Sequence, residues 1–140
     1  MEIKLLKGIK DYEFGLSKDS FLERNAITGT FDIIEEEEEN KTESLYCEKI
    51  GTTLFFEGEE TNMLFTSCET ENKDSLLFGY KVFNMSESEI IKIMIEHGFT
   101  DKEEDIEEWG EKRISFFDAM VDFNFDEGKL ISVSWGILIL

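Results

Sequence analysis

A pattern that returns after 69 positions constrains this chain more than any other feature of it. "LSKDSFLERNAITG" (16–29) and "MSESEIIKIMIEHG" (85–98) each open with an apolar residue and a serine, Ser17 or Ser86, and each reach a glycine, Gly29 or Gly98, twelve positions after that serine. Serine caps a helix N-terminus because its hydroxyl accepts a bond from an orphan backbone N–H. Ser86 followed three residues on by Glu89 reads as a capping box, and glycine suits the left-handed residue just past a helix end. Between these caps, Phe21, Leu22 and Ile27 in one stretch and Ile90, Ile91, Met94 and Ile95 in the other suit one buried helix face. Helices are expected near 17–28 and 86–97.

The same offset carries "TLFFEGE" (53–59) onto "DFNFDEG" (122–128). Leu54 matches Phe123 and Phe56 matches Phe125. Each stretch is expected to turn at a glycine, Gly58 or Gly128, into a second strand, "NMLFTSCET" (62–70) or "KLISVSW" (129–135). Val121, Phe123 and Phe125 alternate with Asp122, Asn124 and Asp126, as a half-buried strand does, so the first set is expected inside and the second exposed. "YEFGL" (12–16), "TFDIIEE" (30–36), "SLYCEK" (44–49), "LFGYKVFN" (77–84) and "RISFF" (113–117) also read as strands. Antiparallel strands in series with two short helices define an α+β fold. The expectation is one domain over 1–140. It is an antiparallel sheet with two short helices packed on one face, built from duplicated helix-plus-strands units at 12–70 and 81–135.

Charge narrows the partner. The chain has 140 residues, 41% of them hydrophobic, with 13 Phe, which is enough for a packed core. Lys and Arg number 14 against 33 Asp and Glu, a net charge of −19. Nucleic acid and anionic membrane would repel such a surface, and a basic protein would be drawn to it. The opening "MEIKLLKGIKDYEF" lacks the apolar stretch of a signal peptide, and no apolar run approaches 18 residues. A cytoplasmic protein is expected, with Cys47 and Cys68 as free core thiols.

The residues offer little chemistry. His97, the one histidine, falls at the end of the second expected helix, where a structural role suits it. Phosphate-loop, dinucleotide and nucleophile-elbow patterns are absent from the sequence. Asp122, Asn124, Asp126 and Gly128 imitate the start of a calcium loop, but that loop needs glycine at its sixth position and glutamate at its twelfth, where this chain has Glu127 and Val133. A hairpin with a polar outer side fits better. The chain is expected to be no enzyme and to use no cofactor or metal.

Acid is concentrated in two places. Glu35, Glu36, Glu37, Glu38 and Glu39 form one block, expected in the turn between two strands. "DKEEDIEEWGE" (101–111) forms the other, with Asp101, Glu103, Glu104, Asp105, Glu107 and Glu108 around Trp109. The offset of 69 places 35–39 over 104–108. Both blocks are expected in loops, brought to one edge or face if the units pack side by side. There they would steer a basic partner, with Trp109 as an anchor.

The duplicated short-helix-plus-strands unit resembles the tandem-repeat architecture of the β-lactamase inhibitor proteins. The likeness spans residues 12–135 and rests on the capped helices, the F-x-F-D/E strands and the glycine turns. In size, acidity and want of catalytic residues the chain also looks like bacterial immunity proteins of contact-dependent inhibition and polymorphic toxin systems. That resemblance implies a protein that binds and blocks a cognate toxin domain, in many cases a basic nuclease. Two other readings stand beside it. An acidic mimic of nucleic acid would place its carboxylates at regular spacing along one helix, and an enzyme of another type would need a constellation not visible here.

Overall fold

The structure, a computed structural model, describes residues 1–24, 31–37, 39–107 and 109–138. The first half forms strands β1 (Glu2–Lys4), β2 (Gly8–Ile9) and β3 (Tyr12–Glu13), helix α1 (Lys18–Arg24), then β4 (Phe31–Glu37), β5 (Asn40–Cys47), β6 (Thr52–Glu59) and β7 (Asn62–Thr70). The second half repeats the order: β8 (Leu76–Leu77), β9 (Tyr80–Lys81), helix α2 (Glu87–Glu96), then β10 (Lys102–Ile106), β11 (Glu111–Phe116), β12 (Val121–Asp126) and β13 (Lys129–Gly136). The fold is rich in antiparallel sheet, and the two helices are a minor part of it.

Local chemistry explains the helices. Ser86 accepts from the Glu89 N–H at 3.2 Å while the Glu89 carboxylate accepts from the Ser86 N–H at 2.9 Å, so the capping box is complete. Ser17 accepts from the Ser20 N–H at 3.1 Å, the same cap without the glutamate. Phe21 and Ile90, matched by the offset, are both fully buried. The expected first helix ran on to 28; residues 25–30 lie outside the described ones, and α1 is seen to Arg24.

Each half contributes a four-stranded meander, and the two meanders join into one sheet of order β10-β11-β12-β13-β7-β6-β5-β4. Pairing is equivalent in the two halves. Leu45 faces Leu54 and Cys47 faces Thr52, as Ile114 faces Phe123 and Phe116 faces Val121. A bulge at Thr66, opposite Phe55 and Phe56, matches one at Ile131, opposite Asn124 and Phe125. At the seam β7 and β13 run antiparallel, with Glu69 opposite Ser134 and Cys68 opposite Trp135. These registers relate the halves by an approximate two-fold axis through the Glu69–Ser134 pair. Gly136 closes the seam, because a Cβ there would lie 2.6 Å from the Thr66 carbonyl oxygen.

One side of the large sheet is covered. Phe21 packs on Phe56 and Phe65, and Ile90, Ile93 and Met94 join the same hydrophobic cluster as Phe116, Phe123 and Trp135. The smaller sheet, β3-β2-β1-β8-β9, lies on this side too, where the Trp135 indole N–H donates to the Gly8 carbonyl at 2.8 Å. Gly8 must be glycine: its φ is +146°, and a Cβ would meet the Tyr12 carbonyl oxygen at 1.9 Å.

An ion pair recurs with its polarity reversed. Lys18 in α1 reaches Glu43 on β5 at 2.5 Å, and Glu87 in α2 reaches Lys112 on β11 at 2.5 Å. Both acid and base keep the 69-residue spacing, so each helix is tied to the second strand of its own meander. Glu43 is nearly buried, which makes Lys18 its main neutralising contact. Lys18→Met should cost about 1–3 kcal/mol, the buried-pair penalty discounted because Lys18 is partly exposed. Lys18→Glu with Glu43→Lys, which copies the polarity of the second half, should recover most of that loss. Chemical denaturation of both single variants and the double variant tests this as a cycle; a double variant no better than the sum of the singles would contradict the pairing.

Several expectations require correction. "LFGYKVFN" is no single strand: Phe78 (φ 52°) and Gly79 (φ 83°) turn the chain between β8 and β9, and Val82–Asn84 form a 3-10 turn. "YEFGL" yields only the two-residue β3. Gly58 lies inside β6, and the first unit turns two residues later, at Glu60 and Thr61. Asp126 is exposed, but Asp122 and Asn124 are half-buried, laid against the sheet by bonds to Ser115 (2.5 Å) and Ser132 (3.0 Å).

Candidate functional site

The acidic blocks are not loops. Glu35, Glu36 and Glu37 belong to β4, and Glu103, Glu104 and Asp105 belong to β10. Glu38 and Glu108 lie outside the described residues. Register also shifts the match between the blocks. Phe31 pairs with Leu45 as Glu104 pairs with Ile114, so β4 and β10 correspond at 73 positions rather than 69.

Nor are the blocks brought together. β4 and β10 are the two outermost strands, at opposite edges of the sheet. Because the seam is antiparallel, the β4–β5 and β10–β11 turns also point to opposite ends. The expectation of one shared acidic edge is therefore overturned by strand order. Carboxylates are tolerated on these strands because an edge strand keeps one side in water, where charge also discourages pairing with other chains.

Neighbouring cations hold several of these acids. At one end Lys41 lies 3.6 Å from Glu36 and 3.3 Å from Glu60, and with Glu39 and Glu59 they line an open cleft of about 480 Å³. Hydrogen bonding to Glu60, and more weakly to Glu36, raises the Lys41 pKa above its ordinary value. At the other end Lys112 lies 2.7 Å from Glu104, and Lys102 lies 3.3 Å from it. Hydrogen bonds from Lys112 and then Lys102 hold the Glu104 carboxyl below its ordinary pKa. Asp105 pairs with Arg113 at 3.0 Å. Asp101 lies in a turn held by the Asp118 carboxylate, which accepts from the Thr100 N–H at 2.8 Å and the Asp101 N–H at 3.3 Å. Trp109 stands exposed at the β10–β11 turn.

A surface that residue-by-residue reading missed is the uncovered side of the large sheet. Among the described residues no helix or second sheet lies over it. Register places Glu103, Ser115, Asp122, Ser134, Glu69, Thr53 and Tyr46 in one row across seven strands. Asp105, Arg113, Asn124 and Ser132 form a second row, and Asp32, Ser44, Phe55 and Ser67 a third. Glu57 and Leu64 extend it. Among the described residues, register places the cations Arg113, tied to Asp105, and Lys129, opposite Asp126, on this side. Tyr46 is 57% exposed at the end of the first row, beside Thr53. The sequence signal was there in the residues between the buried positions, Tyr46, Thr53, Phe55, Glu57 and Glu69, which alternate without a helix left to cover them.

The remaining candidates are structural. Cys47 and Cys68 are buried free thiols, and burial pushes the Cys68 thiol pKa well up. His97 stacks on Phe78 with ring centroids 3.6 Å apart, and its Nδ1 lies 2.8 Å from the Ile93 carbonyl oxygen. Among the described residues no helix is long and apolar enough to cross a membrane. Comparison with protein-family models, curated proteins and solved structures finds no match to this chain.

Proposed function

We propose that this chain is a non-enzymatic binding protein that captures and neutralises a basic protein, as an immunity protein does its cognate toxin domain. The observation that carries this reading is the uncovered face of the eight-stranded sheet. Glu57, Glu69, Glu103, Asp105 and Asp122 give it negative charge, and Tyr46 and Phe55 give it apolar area on rigid strands. Aromatic anchors ringed by charge are the usual make-up of a protein interface. The net charge of −19 favours a basic occupant and speeds its approach. The matched registers of the two halves favour descent from one duplicated helix-plus-strands unit. Carboxylates spread over two edges and a flat face suit a protein clamp better than a mimic of a nucleic-acid strand. A cytoplasmic setting belongs to the same reading.

The test is stopped-flow association with the product of a toxin-like gene neighbouring this one. Wild type should bind, and Tyr46→Ala should weaken binding by about tenfold or more, as an interface anchor does. Replacing Glu35 to Glu39 by glutamine should leave stability within about 0.5 kcal/mol for each surface site. It should slow association at low salt and approach wild type near ~1 M salt, where the Debye length is about 3 Å. No binding by wild type would defeat the immunity reading. Salt-independent association would remove the glutamates from it.

A further inference from the structure

β10 ends the sheet with a backbone edge that no strand pairs among the described residues. The Asp101 carbonyl accepts from the Phe117 N–H at 2.9 Å, and the Glu107 N–H donates to the Glu111 carbonyl at 2.8 Å. Alternation then turns the N–H and carbonyl groups of Glu103 and Asp105 toward β11, and those of Glu104 and Ile106 outward. The strand pairs with β11 in unbroken register, with no bulge to turn the edge away. The opposite edge differs, because β4 carries an extra residue, Ile34, between Ile33 and Glu35, and a bulge twists an edge out of reach of a neighbour. Side chains divide the β10 edge by chemistry. Glu103 and Asp105 share the uncovered side of the sheet; Asp105 is met by Arg113 at 3.0 Å, and Glu103 has no ion pair among the described residues. On the other side Glu104 is held by Lys112 and Lys102, and Ile106 is 72% exposed. Trp109, 67% exposed, stands just past the strand.

We propose that the β10 edge receives an extended cationic segment of the basic partner, which adds to the sheet as a further strand. The inference rests on the reading of a basic partner and adds the way its chain attaches. In strand addition, main-chain hydrogen bonds supply affinity and alternate side chains supply specificity. Here the outward groups of Glu104 and Ile106 supply the bonds. An incoming strand places every second side chain on the uncovered side, beside Glu103 and Asp105, where Lys or Arg forms a favourable cross-strand pair. The side chains between them lie on the side of Glu104, already held by its lysines, and of Ile106, which suits an apolar neighbour. Charge selects the occupant. Like charges directly opposite one another destabilise a strand pair, and opposite charges stabilise it. The carboxylates that turn other strands away from this edge therefore admit a cationic one, and the net charge of −19 disfavours a second copy of the chain on the same ground.

Backbone amide exchange followed by NMR tests this on the wild-type protein, with a synthetic peptide that alternates lysine with valine. In the free protein the Glu103 and Asp105 N–H groups are turned to β11 and should be protected, whereas those of Glu104 and Ile106 should exchange freely. The peptide should slow exchange at Glu104 and Ile106 by about tenfold or more. A peptide alternating glutamate with valine should not. A lysine–valine peptide methylated on its backbone nitrogens keeps the charge but cannot lie against a strand edge, and it should also leave both amides open. No slowing by the lysine–valine peptide up to its solubility limit would overturn the proposal, and so would equal slowing by either control. Those results leave the uncovered face standing, because Tyr46→Ala reads that face in binding to the partner. Failure of the basic-partner reading shows separately, as no binding by wild type in stopped flow, and it would take this inference with it.

Discussion

Trp135→Ala is expected to lower the unfolding free energy by about 3–5 kcal/mol, enough to leave a chain of this size barely folded. Trp135 is 2% exposed on β13, opposite Cys68 across the seam and Val121 on the other side. It is also the link from the large sheet to the small one, through its bond to the Gly8 carbonyl. Truncation would open a cavity where the two halves and the N-terminal strands meet, and would remove the indole bond to that carbonyl. Trp135→Phe keeps much of the volume and should cost about 0.5–1.5 kcal/mol, the net worth of the lost hydrogen bond. Urea titrations followed by circular dichroism separate the two, with the slope watched for loss of cooperativity. Equal losses in both variants would mean that the indole N–H, not packing, accounts for the effect.

Phe123→Ala should cost about 3–5 kcal/mol as well. Phe123 is fully buried and meets Phe116 edge to face at 6.1 Å between centroids. Its chain neighbour Asn124 faces the uncovered side, so Asn124→Ala should lose only about 0.5–1.5 kcal/mol, the net worth of its bond to Ser132. A loss below ~1 kcal/mol at Phe123 would place the wrong face of β12 inside.

Parts of this arrangement were legible for a physical reason. β12 alternates strictly and turns into β13 at Glu127 and Gly128, both with positive φ. The capping box of α2 needs only Ser86 and Glu89. The match of Leu54 to Phe123 survived because β5 and β6 keep one spacing to β11 and β12. A single offset could not follow the outer strands. From helix cap to the equivalent strand position the second half is four residues longer, 18 from Ser86 to Glu104 against 14 from Ser17 to Phe31, and the β12–β13 hairpin is four shorter than β6–β7, so Phe65 matches Leu130. Glutamate is a poor strand former, which made β10 and the acidic end of β4 read as loops; tertiary pairing overrode that preference. The usable signal lay on their neighbours, where Lys41, Lys112 and Arg113 wait opposite or beside the acids. β8 and β9 were hidden because Phe78 took a left-handed conformation that bulky residues rarely adopt. The uncovered face was invisible from sequence because nothing in a strand's own alternation says which polar side will remain bare.

The antiparallel seam between β7 and β13 also shapes the far field of the molecule. Two acidic strands related by a two-fold axis at Glu69 and Ser134 cancel much of each other's dipole in the plane of the sheet, while their charges add. What an approaching cation meets at a distance is then chiefly a monopole, with a quadrupole set by the two corners. Attraction is strong, but the torque that would turn either body into alignment is weak. Encounter should therefore be fast and poorly oriented, leaving selection of the final pose to short-range fit on the sheet.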